Sequence, residues 1–161
     1  MLWEVDVTAA DASDDRHARD VVAGAAELGI GGCRAARSVT GWLVEGDLSR
    51  ADVERVAAAL LVDPVIERCH VFELADGVAG PPSPDPGLPL ELHVLPKPGV
   101  TDPAAESARE AMRLLGVAPA AVRSVRKYWL PAIPAADATT LAWKLLASEA
   151  IHEVVVGPLP I

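Results

Sequence analysis

Residues 60–71, LLVDPVIERCHV, and residues 145–156, LLASEAIHEVVV, carry one apolar skeleton at a shift of 85. Working outward, the front halves repeat as well, at a shift of 87. Trp3, Val5 and Val7 fall on Leu90, Leu92 and Val94, and Ala18, Val21, Ala25 and Leu28 fall on Ala105, Ala108, Met112 and Leu115. The change of offset places a two-residue deletion between Leu43 and the second helix of the later copy. A repeat of about 70 residues is too long for a solenoid unit, and two copies are too few for an array. The pattern predicts a duplicated small domain, a covalent pair standing in for a homodimer.

Each copy has its own order of elements. Residues 2–8, LWEVDVT, alternate apolar and polar as a half-buried strand does. A helix is expected from Asp14 to Leu28, with its stripe at 18, 21, 22, 25 and 28 and a stop at Gly29. Residues 32–39 and 41–46 read as a hairpin turning at Thr40-Gly41. Ser49-x-x-Asp52 reads as a capping box for a second helix, and 65–73 as a closing strand. That order is β-α-β-β-α-β, the split plan of ferredoxin-like α+β units. In the second copy the strands fall at 89–95, 120–129 and 151–156 and the helices near 103–115 and 136–148. Pro131 and Pro134 shorten or remove the third strand. The expected domains are 1–74 and 89–161, packed as a pseudo-dimer, with the Pro/Gly linker 75–88 between them. Apolar residues on the second sheet face (Leu43, Leu95, Cys69, Val154) predict sheet-to-sheet packing or an edge-to-edge continuous sheet.

Composition narrows the function classes. The net charge of −9 and the lack of a concentrated cationic face argue against nucleic acid. No apolar run reaches the length of a membrane span, and no leader-like segment opens the chain, so no membrane and a cytoplasmic location are expected. Cys33 and Cys69 lack metal-ligand spacing and read as buried free thiols. The four histidines form no i, i+4 pair, and no nucleophile elbow frames a serine, so no metal, cofactor or catalytic residue is expected. Residues 1–74 hold 14 acidic and 7 basic side chains, whereas residues 89–161 hold 7 of each and all three lysines. The second copy is therefore the expected contact surface. Its stiff loop carries Lys97, Pro98, Gly99 and Asp102, its strand carries Arg123, and Arg126 and Lys127 are placed at a solvated hairpin tip. Lys144 lies on the last helix. These eight residues are the candidate partner-binding set.

The residues that carry a family likeness are Lys97, Gly99, Val100, Asp102 and Pro103, then Leu115-Gly116, Val122-Arg123 and Lys127, then Leu145-Leu146-Ala147 and Ile151, Val154 and Val156. In this pattern the second half resembles PurS, the small subunit of phosphoribosylformylglycinamidine synthase in purine biosynthesis. The first half shares only the hydrophobic frame and LLVDPVIE. The resemblance implies a non-catalytic assembly subunit that bridges a synthetase (PurL-type) and a glutaminase (PurQ-type) subunit for ammonia transfer, with self-association. The assembly would make an amidine from formylglycinamide ribonucleotide, glutamine and ATP. It implies scaffolding for the first copy and contact for the second. The alternative is a small-molecule-binding regulatory module, which fold analogy alone suggests.

Overall fold

The computed structural model describes residues 1–75 and 81–160. Strand β1 (Leu2–Ala9) leads through a 3-10 turn (Ala12–Asp14) to helix α1 (Arg16–Glu27), then to β2 (Arg37–Glu45). Helix α2 (Arg50–Val56) runs on into a π-helical turn (Ala57–Leu61) before β3 (Glu67–Leu74). The second half holds β4 (Leu90–Pro96), α3 (Pro103–Leu114), β5 (Ala121–Leu130), α4 (Ala135–Leu141) with a π-helical turn (Ala142–Leu146), and β6 (His152–Val156). The class is α+β, and the six strands form one antiparallel sheet in the order β3-β1-β2-β5-β4-β6.

Local chemistry explains the starts and stops. Asp15 caps α1 by accepting from Ala18 N, and Asp102 caps α3 by accepting from Ala105 N, with Pro103 at the first helical position. Ser49 and Asp52 make the expected capping box, and Gly29 and Gly116 end α1 and α3 at φ 76° and 77°, where a side chain would be strained.

Each half is β-α-β-α-β, not the β-α-β-β-α-β plan. The hairpin at Thr40-Gly41 does not exist, because residues 37–45 run straight through as one strand. Gly41 answers a demand for space rather than for a turn. A Cβ there would lie 2.8 Å from Val125 Cγ1 and 3.2 Å from Asp6 Oδ1. For the same reason Arg126 and Lys127 sit inside β5, nine residues of which pair with β2, and not at a tip.

The two halves meet at that β2–β5 pairing, so the edge-to-edge continuous sheet is the arrangement adopted. Their registers correspond. Trp3 pairs Val44 as Leu90 pairs Leu130, Val7 pairs Thr40 as Val94 pairs Arg126, and Val5 pairs Val71 as Leu92 pairs Val156. All helices cover one sheet face, and they cross over. Val21, Ala25, Ile30 and Cys33 of the first half pack with Leu92, Val94, Leu130 and Leu141 of the second. Ala108, Met112 and Val117 of the second pack with Trp3, Val5, Val44 and Val53 of the first. Both cores are therefore shared, and neither half owns one. Gly24 admits the close approach of Leu145, whose Cδ1 would lie 2.6 Å from a Cβ on that glycine.

Leu43 and Leu95 lie on the helix-free face as expected. Cys69 and Val154 do not: they point to the helices, against the two cores. Of the linker, residues 76–80 lie outside the described residues. Pro81 and Leu88 are buried, Leu88 packs with Val39 and Trp129, and Pro81, Pro82, Ser83, Asp85 and Pro86 share a hollow with Glu91 and Trp129, so the stretch lies on the helix-free face.

Candidate functional site

The stiff loop after β4 becomes one wall of a groove. Gly99 turns the chain at φ 83°, and Val100 N donates to Lys97 O at 3.1 Å. Asp102 does more than cap α3. Its second carboxylate oxygen accepts from Ser124 N at 2.8 Å and ties the loop to β5. Arg123 reaches back, donating to Pro96 O at 2.8 Å and to Glu153 at 2.6 Å. The Lys97 amine donates to the Glu149 carbonyl. The resulting groove, about 380 Å³, brings Lys97, Pro98, Gly99, Asp102 and Arg123 together and adds Glu106 and Arg109 of α3. Its lining carries both signs of charge, Lys97, Arg109 and Arg123 against Asp102 and Glu106.

The other three candidates lie elsewhere. Lys144 is exposed on the π turn after α4. Arg126 projects toward the helices, where it donates to Leu146 O at 2.7 Å. Lys127 projects the opposite way and is fully buried, so it presents nothing to a partner. Its amine donates to Asp6 at 2.9 Å, pairs with Glu4, and stands 5.8 Å from the Trp129 ring centroid. To reach β1 from β5 this side chain crosses β2, and its partner Asp6 is one of the atoms that a Cβ at Gly41 would crowd.

Around Lys127 lies a charged cluster that strand alternation hides. Glu4 and Asp6 read as solvent-facing positions of β1 and His93 as one of β4, yet all three are buried. The readable signal was a glycine inside a strand, which marks a close approach. Burial pushes Glu4 up to about 7, with Asp6 adding to the effect and Lys127 opposing it. Burial works to lower Lys127, but Asp6 and Glu4 together outweigh it and hold the amine above its usual value. His93 is pushed down to about 4 by burial and then by Lys127. Its Nδ1 lies 3.1 Å from the Gly157 carbonyl and so carries the proton that donates to it.

Two opposed pH effects follow. Glu4 is raised, so between about pH 4.5 and 7 the folded chain holds a proton the unfolded chain has lost, and stability falls as pH rises. His93 is lowered, so between about pH 4 and 6.5 the unfolded chain binds the extra proton, and stability rises with pH. The two oppose each other. We predict that Glu4→Gln unmasks a rise in urea midpoint from pH 4.5 to 6.5, and that His93→Gln unmasks a fall. Parallel flat profiles in both variants would contradict this.

Among the described residues no His/Cys/Asp/Glu group has the form of a metal site, both cysteines are free, and no helix is long and apolar enough to cross a membrane. Compared with known proteins, the chain matches no family model and has no significant match among curated proteins.

Proposed function

We propose that the chain is a tandem PurS-like assembly subunit that joins a glutamine-hydrolysing subunit to an ATP-dependent synthetase. The observation that carries this reading is the agreement of the two halves in strand register and in the anchoring of their loops. Asp15 ties Ala18 N and Ser38 N as Asp102 ties Ala105 N and Ser124 N. On this reading the halves are copies of one unit, the linker made a dimer covalent while the β2–β5 interface stayed, and domains 1–74 and 89–161 are historical rather than physical divisions. The groove around Lys97 supports docking. It is charged, and the ties of Asp102 to Ala105 N and Ser124 N and of Arg123 to Pro96 O hold its walls in place.

The test is reconstitution with a synthetase and a glutaminase from the same source. Lys97→Glu with Arg109→Glu should leave the melting temperature near wild type and weaken association about tenfold, the size of one lost charge-assisted contact. Full glutamine-dependent amidine formation without this chain would refute the role.

A further inference from the structure

Thr40 and Arg126 are cross-strand partners at the centre of the sheet, and they hold corresponding places in the two halves. On the helix side of β5, Arg126 lies beside His152 and donates to Leu146 O at 2.7 Å. In the first half Thr40 is much shorter, and the corresponding region is an open groove of about 530 Å³. It is bounded by Val7, Asp14, Ser38, Thr40, Ile66 and Glu67. The frame is otherwise kept. Ser148 N donates to His152 Nδ1 at 3.0 Å, and in the first half Asp63 N donates to Glu67 at 2.8 Å. Where the second half sets an imidazole beside its arginine, the first half sets a carboxylate.

The charges favour a cation. Asp14, Asp15 and Glu67 line the groove, against Arg16 and His17. The positive end of α1 opposes a cation, but Asp15 already takes the Ala18 amide there, and its other oxygen takes Ser38 N. Glu67 and the hydroxyls of Ser38 and Thr40 are acceptors for a planar, multiply donating group, for which guanidinium is the best fit.

We propose, on the correspondence of the two halves, that this groove binds a guanidinium group in the place Arg126 fills in the second half. The group comes either from an arginine side chain of a partner chain or from a small free guanidinium compound. The first half is then a contact element in its own right. Because the readout uses the isolated chain, a failed reconstitution with the synthetase leaves it standing, and its own failure leaves the assembly role standing.

Two probes separate the sources: agmatine, and a blocked Gly-Arg-Gly peptide, each titrated into the full chain by amide NMR. Saturable shifts at Ser38, Thr40 and Glu67 are expected. Binding by the peptide alone identifies a partner's side chain, and binding by both identifies the guanidinium group itself. Glu67→Gln should weaken binding about tenfold. Thr40→Arg should fill the groove from within, abolish binding and raise the urea midpoint, and Glu67→Gln should remove much of that gain. The absence of saturable shifts with either probe would overturn the proposal. So would a Thr40→Arg chain that still binds, or one whose stability ignores Glu67.

Discussion

Replacing Lys127 with methionine is expected to cost about 3–5 kcal/mol, the penalty of leaving buried carboxylates without their cation. Glu4 and Asp6 are 2% and 5% exposed, and Lys127 is 0% exposed, so water cannot take over. One oxygen of Asp6 already has no hydrogen-bond partner, which leaves the cluster no spare donor. The cost lies in the unpaired charge and not in the lost side chain. Adding Glu4→Met and Asp6→Leu to Lys127→Met should therefore return most of the stability, since apolar groups of similar volume often replace a buried ion pair without loss. Urea denaturation of the single and triple variants measures both. A single-variant loss below about 1 kcal/mol, the range of solvated pairs, would mean that the helix-free face is wet.

Leu92→Ala is the second large effect, at about 2–5 kcal/mol for a fully buried leucine. Leu92 is 0% exposed and packs in the core that holds Val21 and Ala25 of α1. A cavity cut in the second half should therefore loosen a helix of the first. Hydrogen exchange should show α1 losing protection together with β4, and urea should unfold the whole chain in one transition. Two separate transitions, one per half, would contradict the shared cores.

Strand and helix positions were legible because their apolar periods are local. The stripes of α1 and α3 and the alternation in β1 and β4 fall within a residue or two of expectation. Thr40-Gly41 was misread because it has turn chemistry between two apolar runs, whereas the need for glycine came from Asp6 and Val125 on neighbouring strands. Lys127 was misread because lysine is rarely buried without a partner, and its partners lie on β1, far away in sequence. Of the candidate set, the loop from Lys97 to Asp102 and Arg123 share one groove, whereas Arg126, Lys127 and Lys144, read with them, lie elsewhere. Glu106 and Arg109 were missed because they look like an ordinary solvated helix face. The crossing of α1 and α3 could not be read at all, because a stripe shows that a helix buries one side and not what it meets there.

The crossing also has a consequence in time. The stripe of α1 is complete once Glu27 is made, but Leu130 and Leu141, which cover it, are more than 100 residues later. At ribosomal speeds of about 5–20 residues per second, that delay is on the order of ten seconds. Until β4, β5 and α4 have followed, Val21, Ala25 and Cys33 lack most of the surface they pack against. The order of synthesis thus leaves the apolar stripe of the nascent first half uncovered until its partners in the second half are made.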